Sequence, residues 1–533
     1  MSTDTASTDP MSTDMTSTDP TSTDMTSTDP TPRPGAARPR AGLQEWTALV
    51  VLMLPVLLVS VDNTVLNFAL PAISEALRPS GVQLLWTIDV YPLVLAGLLV
   101  PMGSLGDRYG RRRLLLIGAI GFAAVSVGAA FAPSAELLIA ARALLGVFGA
   151  MLMPSTLSLL RSIFVDREQR RLAIAVWASG FAGGSALGPL VGGVLLEHFW
   201  WGSVFLLAVP VLIPLVVLLP LLVPESLDPN PGRIDPLSIL LSLTTTLPIV
   251  YAIKSVASHG FALDTAAGVI IGVASGIAFV RRQRRSPTPM LDMALFERGA
   301  FSGAVGVNLL SVTAYVGGLL FVSQHLQLVL GMSPLQAGLV LIPGLVVMIA
   351  GGLVIVPIAK RVKPSIVIPI GLSISAVAYG LVALSGGRLS ALELAIIFVG
   401  LGLGIGAAET VSNELIIATA PADKAGAASA VSETAYELGA VLGTTILGTI
   451  LTASYRANVV VPDSLTAAQS AAAGETLGGA VSVAEQLPDD VATALLDSAR
   501  VAFDSGVGTA AGIGTALIVG AMVIARLALR NAR

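Results

Sequence analysis

The chain has 533 residues, 54% of them hydrophobic and only 12% charged, with a formal net charge of −4. That balance excludes a soluble protein of ordinary composition, and aromatics at 5% beside 54 glycines favour helices packed through small side chains over a β-barrel with aromatic girdles. The lack of cysteine excludes disulfides and thiolate metal sites, and the three histidines, His198, His259 and His325, are too scattered for a metal motif.

Residues 1–30 repeat a ten-residue unit, MSTDTASTDP MSTDMTSTDP TSTDMTSTDP, with no apolar periodicity. With the basic stretch PRPGAARPR that follows, residues 1–44 read as a disordered cytoplasmic tail. No basic start leads into an apolar core there, so the tail is not a signal peptide. From Trp46 onward fourteen apolar segments are long enough to cross a hydrocarbon core of about 30 Å, which takes about 20 residues. They span 46–70, 83–105, 113–132, 135–158, 172–197, 202–222, 236–256, 262–280, 300–329, 334–358, 364–385, 390–416, 426–453 and 506–528. The expectation is an all-α membrane protein.

Loop charges test that count. With the N-terminus inside, 24 of the 30 lysines and arginines fall on the inner side, Arg142 lies within a segment, and the opposite loops hold only Arg78, Lys254, Arg388, Arg456 and Arg500. One missed or invented segment would scramble this positive-inside bias, so both termini are expected in the cytoplasm, with the chain in a cell (inner) membrane. One exterior loop, 454–503, is long, and its pieces DSLTAAQSAAAG and DDVATALLDSARVAF each begin with Asp as helix caps do. A short helical hairpin outside the membrane is expected there.

An internal duplication is also legible. Superimposing GPLVGG (188–193) on GAVLGT (439–444) matches Gly188 with Gly439 and Gly192 with Gly443, and so lays segment 5 over segment 13. The implied plan is two six-helix halves, segments 1–6 and 9–14, with segments 7 and 8 inserted. Domain boundaries follow at 45–222 for the N-terminal half, 223–298 for the inserted pair and its linker, and 299–533 for the C-terminal half. Repeated halves suit alternating access around a site at their interface.

Loop 2–3 reads GSLGDRYGRRR (103–113). Its arginines alone would hold a loop in the cytoplasm, but they do not account for the glycines and the aspartate. Gly103 would let two helices approach closely, Gly110 would permit the tight turn, and Asp107 could pair with an arginine of a neighbouring helix end. The arrangement of Gly103, Asp107, Arg108, Gly110 and Arg111 resembles the loop signature of the major facilitator superfamily. VDNTVLNFALP (61–71), RALLGVFGA (142–150), GGSALGPLVGG (183–193), WGSVFLLAVP (201–210), QHLQLVLGMSPLQAGLVLIP (324–343) and SETAYELGAVLG (432–443) resemble its fourteen-helix drug/proton antiporters, exporters of the QacA and SmvA type. Gly184, Gly188, Pro189, Gly192 and Gly193 form the run that this family associates with antiport.

Asp62 stands near the middle of the first segment, where a carboxylate facing lipid costs about 2.5 to 3.5 kcal/mol, so it should face the bundle interior and serve proton or ion traffic. Counted from the segment ends, Asp62, Asp89 and Arg142 fall in one layer and could meet across the N-terminal half. Arg142 cannot be deprotonated; it could neutralise Asp62 structurally or compete for it when a proton arrives. Glu433 and Glu437 are four residues apart and share a helix face, where two carboxylates resist ionising together, as suits a proton store. Glu409 lies at a similar depth, while Glu414 is nearer the interface and reads as a solvated helix end. By resemblance, Asp62, Asp89, Glu433 and Glu437 match acidic positions used for protons or cationic drugs. No acid occurs between Ser333 and Ala359, where some relatives carry one, so proton stoichiometry and the handling of dications stay open. Trp86, Tyr91, Trp177, Phe181, Tyr315, Phe321 and Tyr436 could wall a site for lipophilic cations, although aromatics in membrane helices more often pack or anchor.

GLGLGIGAA (400–408) lacks the βα context and the Gly-Lys-Ser/Thr of a nucleotide loop, and no catalytic order of residues points to an enzyme. The sequence therefore predicts a proton-coupled exporter of lipophilic cationic drugs, driven by the proton gradient with no cofactor and no metal. Its partners would be the drugs, protons and the lipid bilayer, without nucleic acid, and it is expected to act as a monomer. A proton-coupled exporter or carrier of an endogenous metabolite is the alternative. A non-transporting scaffold would have no reason to bear the insertion cost of the buried acids.

Overall fold

The computed structural model describes residues 41–530 except 165, 228–234, 260–261, 287–288, 290, 292, 360, 386–388 and 421–424. The repeat of residues 1–30 and the basic stretch after it lie outside the described residues. The helices follow the expected order: α1 Leu43–Leu77, α2 Gly81–Tyr109, α3 Arg111–Ala130, α4 Ala135–Ile163, α5 Arg167–His198, α6 Ser203–Leu222, α7 Pro236–His259, α8 Leu263–Arg285, α9 Gly299–Val329, α10 Pro334–Ala359, α11 Pro364–Leu384, α12 Ala391–Thr419, α13 from Ala425 to Asn458, and α14 Asp489–Ala528. Among the described residues thirteen of these are long and apolar enough to cross a membrane, and α5, at 32 residues, completes the set of fourteen helices.

Local chemistry sets many of the ends. Ser80 accepts from Gln83 N at 3.2 Å while Gln83 Oε1 accepts from Ser80 N at 2.9 Å, a reciprocal cap that starts α2. Ser390 and Glu393 do the same for α12, and Pro364 opens α11, where its missing N–H costs nothing. The long loop departs from expectation in two respects. Its first helix, Ala467–Glu475, is capped by Thr466 with Gln469 and not by Asp463. The piece beginning at Asp489 is no separate helix, because nothing between it and Ala528 breaks the chain, and it runs on as the start of the 40-residue α14. A second short helix, Leu477–Ala484, completes the hairpin.

Two apolar cores divide the molecule, one built from α1–α6 and the other from α9–α14. Phe68 of α1 packs in the second core and Leu320 of α9 in the first, so the halves interlock through these two helices. The duplication is visible in the packing. A Cβ on Gly184 would come within 2.7 Å of Ser60 and one on Gly192 within 2.6 Å of Val65, both on α1. In the other half a Cβ on Gly439 would come within 2.9 Å of the Leu309 carbonyl, and Gly443 presses on Thr313, both on α9. With Gly188, which presses on Thr64 of α1, the α5 glycines recur every four residues as Gly439 and Gly443 do, and they seat α5 on α1 and α13 on α9 in the same way. By contrast, α7 and α8 pack chiefly on each other, and only 17% of each apolar stretch is buried, against 72% for α1, α2 and α9. Their outward residues, Leu237, Leu240, Ile270, Ile271 and Ile277 among them, are apolar, as a lipid-facing surface requires. On its inner side α7 lays Val250 against Leu93 of α2 and Val441 of α13, closing the seam between the halves.

Candidate functional site

Several of the polar residues buried in the apolar helices gather along that seam. Arg142 of α4 is 1% exposed; its Nη1 lies 2.6 Å from Asp62 Oδ2, its Nε donates to the Thr87 carbonyl at 3.1 Å, and its guanidinium sits 4.5 Å over the Tyr91 ring. The Asp62–Arg142 meeting expected from sequence is therefore present as an ion pair. Asp89 does not join it. Residues two apart on a helix point about 200° apart, so with the Tyr91 ring under Arg142, Asp89 turns the other way and meets α13.

There Asp89 accepts from Thr445 Oγ1 at 2.8 Å and contacts Thr444 Oγ1, where α13 widens into a π-helical turn over Thr444–Gly448. The Thr444 hydroxyl also lies within hydrogen-bond reach of the Ala440 and Val441 carbonyls.

About two turns earlier on α13, Glu437 is buried and accepts from Asn63 Nδ2 of α1 at 3.4 Å, while its Oε2 has no hydrogen-bond partner among the described residues. Glu433, one turn below, and Asp62 both lie within electrostatic reach of Glu437. Glu409 of α12 is within reach of Tyr315 and Tyr436, and Tyr436 in turn of Glu437. Asp62 of the N-terminal half and Glu437 of the C-terminal half thus lie within electrostatic reach of each other across the seam. A polar network beside Glu433 joins Asn308 of α9 to Asn413 and Ser432, each at 3.4 Å. Glu414 is exposed, as its position near a helix end suggested.

Of the aromatics, Tyr91 lies under Arg142 and edge-on to Phe122, and Phe321 packs edge-on against Tyr379, so both fill cores. Tyr315 stacks on Phe398 at 5.7 Å, and Trp177 Nε1 donates to Thr156 at 3.2 Å. Trp86 borders the α2–α7–α13 cluster. The side chain of Phe181 lies outside the described residues.

Contacts that join the halves concentrate toward the end carrying the 454–503 hairpin. Gly448 of α13 presses on Leu85 of α2, Ser323 of α9 donates to the Asn67 carbonyl at 3.4 Å, and Gly193 of α5 abuts Leu335 of α10. Within the hairpin, Glu475 accepts from Gly81 N at 3.3 Å and pairs with Arg456.

At the opposite, basic end, Gly110 joins α2 to α3 with φ 109° and ψ 124°, a conformation open only to glycine. A Cβ there would lie 2.7 Å from Glu225, whose carboxylate accepts from Arg112 N at 2.9 Å and Arg113 N at 3.2 Å and so caps the first turn of α3. Arg111 Nη1 donates to Ser226 Oγ at 3.3 Å, and Arg108 lies over its neighbour Tyr109. Gly103 makes only ordinary contact, 3.5 Å from Pro154, so it does not force the close approach expected of it. The Asp107 side chain lies outside the described residues. Sequence reasoning missed Glu225, although an acid directly after segment 6 was a visible counter-charge for the arginines of loop 2–3. It also left Asn63, Thr444 and Thr445 unassigned, and only the packing of α1 and α2 against α13 brings them in.

Comparisons with known proteins agree with this architecture. The sequence profile of the Major Facilitator Superfamily matches residues 52–444. The chain is 59% identical over 492 residues to the multidrug efflux pump LfrA of Mycolicibacterium smegmatis, covering 92% of this chain and 98% of that protein. It is 37% identical over 465 residues to the methyl viologen resistance protein SmvA of Salmonella typhimurium, covering 86% and 93%. Among solved structures, a bacterial homologue of the human lysosomal transporter Spinster, in an inward-facing conformation, superposes with a TM-score of 0.61 at 18% identity, covering 91% of this chain and 98% of that one. That likeness speaks for the fold alone. By sequence profile, helix plan and relatives together, the chain belongs to the major facilitator superfamily, a family of membrane transporters and not of enzymes, within its fourteen-helix drug exporter branch.

Proposed function

We propose that the chain is a proton-coupled antiporter that exports lipophilic cationic small molecules from the cytoplasm or inner leaflet by alternating access. The observation that carries this reading is the set Asp62, Glu437, Glu433 and Glu409 along the seam between the halves, the first two buried and the last two half-buried. The names of the relatives support the cargo class: one is called a multidrug efflux pump, and another confers resistance to methyl viologen, a cationic compound. In this reading the basic end faces the cytoplasm of a cell in whose inner membrane the protein lies, and the contacts at the hairpin end close the outer side.

A cation entering from the basic end meets Glu433, Glu437 and Glu409 with Tyr315 and Tyr436 beside them, a carboxylate-and-aromatic wall suited to charge spread over an apolar body. Its charge replaces a proton on one of these acids. Rocking of the halves then parts Asp89 from Thr444 and Thr445 and Asn63 from Glu437, so proton exchange with the outside is tied to the motion that releases cargo. Asp62 holds Arg142 until a proton competes for it, which couples α1 to α4 in the same step. A growth-inhibition panel in an efflux-deficient host tests the substrate class. Expression should raise tolerance to ethidium and quaternary ammonium compounds several-fold and leave tolerance to polar neutral compounds unchanged; protection against neutral compounds alone would refute the cation reading.

A further inference from the structure

The inserted pair α7–α8 contributes no residue to the acid set, yet it carries a built cleft of its own. At the basic end a cavity of about 480 Å³ opens between the two helices, lined by Leu237 and Leu241 of α7 and by Ala278, Arg281, Arg282, Arg285 and Ser286. That volume is within the range of small-molecule sites, about 300 to 1,000 Å³. Ala278, Arg281, Arg282 and Arg285 form one stripe of α8 at intervals of three, four and seven residues, and the small side chain of Ala278 leaves room where the apolar run ends.

The three guanidiniums are not equivalent. Arg282 is committed: its Nε and Nη2 grip the two oxygens of Asp235 at 2.6 and 2.9 Å. Asp235 also caps α7 through Ser238 Oγ at 2.6 Å, and Gln283 holds that same hydroxyl at 2.7 Å, so the rear of the cleft is tied down. The grip of Arg282 holds the Asp235 carboxyl at about 2, below the ordinary carboxylate value, so this pair stays charged at neutral pH. Arg281 and Arg285 are exposed, four residues apart on one face, and unmatched by an acid among the described residues. Two cations thus stand where the exposed apolar surface of α8, with Ile270, Ile277 and Val280 outward, ends.

We propose that this cleft binds an anionic phospholipid, with Arg281 and Arg285 holding the phosphate and the acyl chains lying along the exposed apolar faces of α7 and α8. Charge complementarity selects an anion, and the apolar wall continuous with the membrane surface selects one carrying hydrocarbon chains. The other side of α7 seals α2 against α13 through Val250, so the bound lipid would steady the helix that closes the seam.

The test uses the purified full-length protein in detergent, titrated with phosphatidylglycerol, phosphatidylcholine or inorganic phosphate, with thermal unfolding and native mass spectrometry as readouts. Phosphatidylglycerol should be retained and should raise the unfolding temperature, while phosphatidylcholine and phosphate do neither. Arg281→Gln with Arg285→Gln should weaken phosphatidylglycerol retention by roughly tenfold or more. The pair Arg361→Gln with Arg530→Gln, which removes the same charge from exposed positions elsewhere, should leave it unchanged. Equal retention of both lipids by the unsubstituted protein overturns the proposal without recourse to any variant. So does undiminished retention in the Arg281/Arg285 variant, or an equal loss in the Arg361/Arg530 control. Stabilisation by phosphate alone would assign an anion site and overturn the lipid.

Discussion

Arg142 is buried with its guanidinium 2.6 Å from Asp62 and stacked over Tyr91, and a cation so placed is tolerated only while its partner is there to offset the loss of water. Arg142→Gln should cost about 3 to 5 kcal/mol by stranding Asp62, and adding Asp62→Asn should recover part of it, because two neutral amides can face each other. Chemical unfolding of the two variants in detergent checks this; equal destabilisation of the single and double variants would show that the pair does not act as a unit. Glu437 is a cleaner position for function, since Gln at that site still offers Asn63 an acceptor oxygen. At this scale the sequence exposed Asp62 because a charge in an apolar run is visible to anyone counting residues. The Asn63–Glu437 and Asp89–Thr445 contacts were not legible, because they join residues more than 350 positions apart, and only the choice of which helices line the seam decides them.

Among the elements, the α2–α3 turn is the most constrained. Gly110 takes a conformation closed to other residues and leaves no space before Glu225, so Gly110→Ala should destabilise by about 1 to 3 kcal/mol and loosen the first turn of α3, as faster hydrogen exchange at Arg112 and Arg113 would report. The α7–α8 junction makes a pH prediction. Asp235 is held at about 2, below the unfolded carboxylate value of about 3.9, so its pairing with Arg282 stabilises the junction above pH about 4 and is lost as pH falls toward 2. Protection of the Ser238 and Ile239 amides, taken relative to the intrinsic exchange rate at each pH, should therefore hold at pH 5 and fall below pH 4, and Asp235→Asn should remove that dependence. Helix number and order could be read from hydropathy and loop charge because a bilayer permits few alternatives. The fate of DDVATALLDSARVAF could not, since an Asp-led amphipathic stretch looks the same whether it ends or runs on into α14.

For the whole molecule, the repeat read from GPLVGG and GAVLGT reappears as matched interfaces, α5 on α1 and α13 on α9, and the halves meet most closely toward the hairpin end. Asp89 and Glu437 each hold a contact to the other lobe, and in the proposed mechanism protonation and separation of the lobes therefore depend on one another. Cation-driven proton release from inverted membrane vesicles measures that dependence most directly. Ethidium added to energised vesicles should discharge a preformed proton gradient, and Glu437→Gln and Asp62→Asn should each abolish the discharge while Glu437→Gln leaves the amount of folded protein unchanged. Undiminished discharge in both variants would contradict the account, because protons would then cross by a route that does not pass through the seam.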